Sequence, residues 1–251
     1  DADMKLYPAS TTKLLTALVA LENGSMEDIV TVDASAYGAE GSSIYLHLEE
    51  EIALKDLLYG LMLSSGNDAA VAIAVHIGGG TPAFADMMNK KAVELGAFNT
   101  NFVTPNGLHD DAHYTTAYDL ARIAAAAMKN ESFRQIVSTE YYRAETGETA
   151  RTFKNKNRIL WEYSGGTGVK TGYTKAAGRC LVFSAEQGDM ELIGVVLNCP
   201  NMFEDAKALL NYGFENYETV SMVKAGTTVA RLPVSGGEKS LLEVTLAEDI
   251  M

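Results

Sequence analysis

Basic residues, cysteine and long apolar runs are scarce in this sequence, and each shortage excludes something. Lysine and arginine number 20 against 33 aspartates and glutamates, a net charge of −13. That balance lacks the basic footprint of a nucleic-acid binder and opposes electrostatic attachment to an anionic membrane. Two cysteines, Cys180 and Cys199, are too few for a disulfide-stapled scaffold. The longest apolar stretches, Leu14 to Leu21 and Ala69 to Ile77, fall short of the roughly 18–20 residues a spanning helix needs, so no transmembrane segment is expected. No secretory leader is visible and the first residue is Asp, so the start reads as a processing boundary. What remains is 47% apolar and 21% charged, the composition of a folded globular chain.

Helical periodicity dominates the first half. Thr11 to Asn23 carries Leu14, Leu15, Leu18, Val19 and Leu21 with almost no polar face, which predicts a buried helix stopped at Gly24. Further helices are expected over Leu54 to Leu63, Asp68 to Ile77, Thr81 to Gly96 with Thr81 as cap, Thr115 to Met128 and Glu131 to Val137. After Ser138 the period changes to two, predicting strands over Thr139 to Ala144, Val169 to Thr171, Cys180 to Ala185 and Leu192 to Asn198. A helix over Glu204 to Asn216 comes next, then short strands over Thr227 to Pro233 and Leu241 to Leu246. The expected fold class is α+β, an antiparallel sheet flanked by helices with a helical subdomain. Residues 1–217 form the main domain and residues 218–251 the start of a small β-rich one. Cys180 and Cys199 flank the turn Gln187-Gly188-Asp189, a placement that would allow a disulfide without requiring one; two free, buried thiols are the expectation.

Three short motifs carry chemistry: Ser10-Thr11-Thr12-Lys13, Ser65-Gly66-Asn67 and Lys170-Thr171-Gly172. Ser10 and Lys13 are three apart, so on a helix their side chains share one face one turn apart. A serine hydroxyl attacks only when a base takes its proton, and a lysine serves as that base only if its pKa falls from about 10.4. Burial on an apolar helix and a second cation, Lys170, would both lower it. The Ser10 amide at a helix start and the Tyr173 amide just past the third motif would suit a developing oxyanion. Gly172 lets an extended ligand approach the strand edge. Lys170 and the Thr171 hydroxyl would meet a carboxylate, Ser65 would relay a proton, and Asn67 would hold a ligand amide and Lys13.

Singly, each motif has a plain structural reading. Ser10 suits an N-cap, Ser65-Gly66-Asn67 an inter-helix turn and Lys170-Thr171-Gly172 a strand end; only their ordered coincidence favours chemistry. His109, Asp110, Asp111 and His113 crowd one loop, but no cluster of zinc-like spacing accompanies them, so no metal is expected. His47 and His76 read as a surface and a packing residue, Trp161 and Tyr163 as cleft or packing residues, Met87 and Met88 as core.

S-x-x-K with S-D-N and K-T-G marks class A β-lactamases and penicillin-binding proteins. With Tyr7-Pro8-Ala9-Ser10, Ser65-Gly66-Asn67-Asp68-Ala69, Pro105-Asn106-Gly107-Leu108, His113 to Asp119 and Gly168 to Gly172, the chain resembles the D-alanyl-D-alanine carboxypeptidases of the low-molecular-mass penicillin-binding proteins over roughly residues 1–233. The resemblance implies the β-lactamase/transpeptidase-like fold and Ser10 as acylated nucleophile with Lys13 as its base. Ser65 and Asn67 would be the second catalytic element, and Lys170 with Thr171 the carboxylate-binding strand. It also implies removal of the terminal D-alanine from peptidoglycan stem pentapeptides, inhibition by β-lactams, no cofactor and an extracytoplasmic place in the cell envelope.

Against the family pattern, only nine residues precede Ser10, where two strands are normal, and the C-terminal β domain is only begun. No arginine stands near Pro200-Asn201-Met202, where some relatives use one for the substrate carboxylate. A β-lactamase remains the alternative enzyme, though no E-x-x-L-N loop is present. A catalytically idle penicillin-binding module is the non-enzymatic one, and retention of Ser10, Lys13 and Lys170 speaks against it.

Overall fold

The computed structural model describes residues 1–220, 223–237 and 240–248. A single 3₁₀ turn, Ala9–Thr12, leads into helix α1, Lys13–Asn23. Two three-residue strands, β1 (Ile29–Thr31) and β2 (Glu51–Ala53), pair antiparallel with Val30 opposite Ile52. Next come α2 (Leu54–Tyr59), a wider π-type turn (Gly60–Ser64), α3 (Asn67–Gly78) and α4 (Thr81–Glu94). Helices α5 (Ala117–Ala127) and α6 (Glu131–Ser138) come after them; the Thr116 side chain accepts Asp119 N–H and the Asn130 side chain accepts Phe133 N–H, ordinary N-caps. Strands β3 (Tyr141–Arg143) and β4 (Thr152–Lys154) form a second small ladder. A short α7 (Ile159–Glu162) precedes the main strands β5 (Gly166–Thr174), β6 (Gly178–Gln187) and β7 (Met190–Val196). Helix α8 (Met202–Asn216) and a hairpin of β8 (Thr228–Pro233) and β9 (Leu241–Thr245) end the described chain.

The main sheet has the order β5-β6-β7 and is antiparallel throughout. Its two faces obey the two-residue period of β6. Leu181, Phe183 and Ala185 face α8, where Ala206 and Leu210 meet them, while Val182 joins Val169 in the larger core shared with α1, α5 and α6. Helix α1 lies in the middle of that core, and Lys13 to Ala20 are all buried. It packs on α3, α4, α5 and α6, so its near-absence of a polar face is the signature of a helix surrounded on all sides.

The expected helices and main strands are present with shifts of a few residues, and the architecture is α+β. The strand anticipated over Thr139 to Ala144 shortens to β3, and Thr81 is the first helical residue, with Gly80 as its cap. Strands β1, β2 and β4 and helix α7 lack a sequence signal because three or four residues are too few to display a period. The run from Leu54 to Leu63 is helical but splits at Gly60, where the turn widens and ends on Ser65 in the left-handed conformation, φ 66°. Cys180 and Cys199 are unpaired thiols; Cys180 is buried, and Cys199, half-buried rather than buried, donates to Asp205.

Candidate active site

Ser10 sits in the 3₁₀ turn rather than in α1 itself, and Ala9 just before it has φ 48°. Non-glycine residues enter this region only where the surroundings fix them, at a cost of about 1–3 kcal/mol. Here the fixing element is Gly107: its φ is +80°, and a Cβ there would collide with Ala9 O, so the two backbones touch. From α1, Thr16 donates to Pro105 O at 2.6 Å and Lys13 to Asn106 O at 2.6 Å. The buried His113 ring accepts Val103 N–H at Nδ1, 3.1 Å, which leaves Nε2–H to donate to Thr12 Oγ1 at 2.8 Å. Burial drives the His113 pKa down to about 4, so the ring is neutral. The polar residues of α1 thus bolt the nucleophile turn to the loop of residues 103–107. His113 faces inward in this arrangement, whereas His109 lies at the surface beside Asp111.

Lys13 is fully buried. Its Nζ lies 2.9 Å from Ser10 Oγ, 2.7 Å from Asn67 Oδ1 and 2.6 Å from Asn106 O. Burial, then the charge of Lys170 and that of Lys156, holds its pKa well below the usual lysine value. A neutral amine has two N–H bonds and one lone pair. Given to the two carbonyl oxygens, the N–H bonds leave the lone pair for the hydroxyl of Ser10, the geometry of a base in hydrogen-bond reach of its nucleophile.

Asn67 opens α3 and Ser65 lies two residues earlier in the strained turn; π-type turns recur at functional sites because they re-aim the residues that come next. The Asn67 side chain accepts from Lys13 and donates to Glu40 O, and its backbone N–H donates to Ser42 O at 2.7 Å. Asp68, also buried, accepts Ile44 N–H at 3.0 Å, Leu46 N–H at 3.1 Å and the Ser43 hydroxyl. The same loop is held from its far side by Arg151, which donates to Ile44 O and Tyr45 O and pairs with buried Glu50 at 2.6 Å. Sequence reasoning gave no role to Asp68 or Asn106, although both stand in stretches that carry the family resemblance, and it missed Arg151. For Arg151 no sequence signal exists, since only burial distinguishes it from an ordinary surface arginine.

Strand β5 supplies the opposite wall. Gly172 lies against the nucleophile turn, where a Cβ would stand 3.0 Å from Pro8 O, Ser10 N and Thr11 N. Lys170 is buried, donates to Thr171 O at 3.0 Å, and is depressed to about 7 by burial and by Lys156. Ser10, Ser65, Thr171, Gly172 and Tyr173 line one solvent-open cleft of about 340 Å³; buried Lys13 bonds Ser10 and Asn67 behind it, and buried Lys170 bonds Thr171 O. Lys156, Arg179, Met202 and Phe203 also line it, and no motif or spacing in the sequence marks them for that place. All eight residues expected from the motifs converge here, although they come from the ends of four separate elements.

The sequence profile of a family described as D-alanyl-D-alanine carboxypeptidase matches residues 1–201. The D-alanyl-D-alanine carboxypeptidase DacF of Bacillus subtilis is 39% identical over 259 residues, covering 100% of this chain and 67% of that protein. A D-alanyl-D-alanine carboxypeptidase of a Streptomyces species is 39% identical over 234 residues, 85% of this chain and 80% of its own. Among solved structures, a Streptomyces DD-transpeptidase superposes with a TM-score of 0.80 at 38% identity, covering 85% of this chain and 90% of its own. The D-alanyl-D-alanine carboxypeptidase DacD of Francisella tularensis gives 0.83 at 28% identity, over 100% of this chain and 75% of its own.

Proposed function

We propose, given that this chain belongs to the D-alanyl-D-alanine carboxypeptidase family, that Ser10 is the nucleophile and Lys13 the base of a serine acyl-enzyme mechanism. Family membership makes it a serine-type D-alanyl-D-alanine carboxypeptidase. The observation that carries the assignment of roles is the triple coordination of Lys13 Nζ by Ser10 Oγ, Asn67 Oδ1 and Asn106 O in a buried site.

In the first step Ser10 Oγ attacks the carbonyl carbon of the penultimate D-alanine while its proton passes to Lys13 Nζ. The oxyanion is met by backbone N–H groups of Ser10 and Tyr173. The C–N bond then breaks, and the departing D-alanine nitrogen takes a proton that originates on Lys13 and passes through Ser65. Ser65 suits this relay because its hydroxyl makes no hydrogen bond within the described chain and lines the cleft beside Ser10. Water attacks the ester in the second half, again losing its proton to Lys13, and Ser10 is regenerated. The substrate is the stem peptide of peptidoglycan, which places the enzyme outside the cytoplasmic membrane, and β-lactams acylate the same serine. The described residues after α8, with the β8–β9 hairpin, would belong to a separate β-rich unit.

Intact-mass spectrometry after incubation with benzylpenicillin, alongside an assay of D-alanine released from a D-alanyl-D-alanine tripeptide, tests this. A lasting adduct on Ser10 together with D-alanine release is expected. A short-lived adduct with penicillin turnover and no D-alanine release would make the protein a β-lactamase, and no adduct would overturn the role of Ser10.

A further inference from the structure

Beside the cleft lies a second pocket of about 490 Å³, lined by Ser64, Lys154, Asn155, Lys156 and Trp161. Nothing in the mechanism uses it. Lys156 lines both spaces, and Ser64 is the immediate neighbour of Ser65, so the pocket adjoins the cleft on its Ser65 side. The segment that builds it is firmly held. From residue 151 to 159 burial alternates: Arg151, Phe153, Asn155, Asn157 and Ile159 turn inward, while Thr152, Lys154, Lys156 and Arg158 face solvent. Asn155 Nδ2 donates to Val137 O and Thr139 O at 3.0 Å each, and Asn157 Oδ1 accepts Ile159 N–H at 3.1 Å. The exposed side chains therefore leave a backbone that needs no ligand to set it.

Two kinds of surface meet in this pocket. The Trp161 side chain is 42% exposed and supplies a broad apolar area. Lys154 reaches over it: Nζ stands 5.5 Å from the Trp161 ring centre and 5.4 Å from that of Tyr141, its cross-strand partner on β3. The two rings place the ammonium by cation–π attraction without using its three N–H donors. Among the described residues Lys154 has no hydrogen-bond acceptor and no ion pair. Lys156 differs, since it donates to Ser64 O at 2.7 Å. One uncommitted cation thus stands over an aromatic wall, the complement of a ligand with an alkyl stem and an anionic tip.

The position of the pocket selects the part of the substrate that reaches it. The departing amine takes its proton through Ser65, so the residue that leaves lies on the Ser65 side of Ser10. Its side chain is the part free to extend toward Ser64 and Trp161, and the single methyl of D-alanine is too short to arrive. We propose that this pocket is a leaving-residue subsite for a terminal D-amino acid whose long aliphatic side chain lies along Trp161 and ends in a carboxylate at Lys154. The proposal rests on the carboxypeptidase reading and extends it to peptides whose last residue is larger than D-alanine. The bond chemistry is unchanged: Ser10 forms the same ester, the C–N bond breaks, and the larger amino acid departs with the proton from Ser65. Reversal of that step gives the same pocket to an attacking amine. Its nitrogen then forms the amide as the ester C–O bond breaks, and its proton returns through Ser65 and Lys13 to the Ser10 oxygen.

The test uses peptides that differ only in the last residue: D-alanine, D-norleucine, or D-2-aminoadipate, whose side chain matches that of norleucine in length and ends in a carboxylate. Release of the last residue is measured by mass spectrometry for wild type, Lys154→Gln and Trp161→Ala, and unfolding temperature is recorded for each. In wild type, kcat/KM for the aminoadipate peptide should exceed that for the norleucine peptide by about five-fold, the upper range for an ion pair open to solvent. Added salt should narrow the gap. Lys154→Gln should erase it, and Trp161→Ala should lower both long-chain peptides by about ten-fold. Release of D-alanine and the unfolding temperature should stay close to wild type in both variants. Equal wild-type values for norleucine and aminoadipate, or a gap that survives Lys154→Gln, would overturn the subsite. A Trp161→Ala loss shared equally by all the peptides would do the same, and if that variant folds poorly Lys154→Gln decides alone. Absence of D-alanine release by wild type would instead overturn the carboxypeptidase reading itself.

Discussion

The helix wall and the strand wall of the cleft handle their polar groups in opposite ways. On the helix wall, Lys13, Asn67 and Asp68 are buried, and their side chains are fully engaged within the chain: three partners for Lys13, a donor and an acceptor for Asn67, three backbone amides and a hydroxyl for Asp68. On the strand wall, buried Lys170 has a single carbonyl and exposed Arg179 a single long bond. Satisfied groups hold atoms in place, while groups left short of partners are available to a ligand. The helix wall is therefore preorganised for proton transfer, while the strand wall keeps donors unspent, as a wall that meets an anionic ligand would.

Changes on the helix wall should be the more severe. Ser10→Ala removes the proposed nucleophile, so no penicillin adduct should form while the unfolding temperature stays close to wild type; persistent labelling seen by mass spectrometry would refute the assignment. Lys13→Ala should slow acylation by about 10²-fold or more, the usual loss on removing a positioned base. Stopped-flow acylation kinetics check this, and a near-normal rate would move the base role elsewhere. Asp68→Ala strands the amides of Ile44 and Leu46 and the hydroxyl of Ser43 away from their acceptor. Each buried orphan costs about 1–3 kcal/mol, so calorimetry should show a marked fall in unfolding temperature. An unchanged value would mean that Asn67 and Arg151 hold the loop of residues 40–46 without Asp68.

The strand wall should respond more gently and through pH. Free Lys170 titrates at about 7, so it loses charge above neutrality, and kcat/KM for free-acid peptides should decline there. Lys170→Arg keeps the charge and should move that alkaline limb upward while changing the neutral rate by about ten-fold at most. A limb that stays in place would assign it to another group. The same depression has a stability consequence of fixed sign. Between about 7 and the ordinary value of 10.5 the native state binds fewer protons at Lys170 than the unfolded state does, so stability rises with pH across that window. Below pH 7 both states are charged and the burial cost is felt in full. A Lys170→Met variant should therefore gain on wild type in unfolding temperature at pH 6 and lose that advantage by pH 10.

Much of this was legible in the chain. The apolar ring of α1, from Leu14 to Ala20, announced a helix packed on all sides, and the two-residue period announced β6 and β7. Elements too short to repeat a period, such as β1, β2 and α7, were not legible. In the site, Ser10 and Lys13 could be paired from spacing alone because a helix fixes the distance between positions three apart. The partners of Lys13 come instead from residues 54 and 93 positions away, and no local rule brings them together.

The order of residues alone set the chemistry available: a serine and a lysine one turn apart, a small turn with a second serine, and a lysine beside a glycine on a strand. Long-range packing then settled which of those groups are charged and which are bound, because a pKa depends on burial and on neighbouring charges. Lys13 has its pKa held low, as a base would need, because α1 is enclosed by other helices and the charge of Lys170 lies close by. Arg179 stays a free cation for a related reason: β6 places it opposite Tyr173 at an open rim, where no carboxylate of the described chain reaches it.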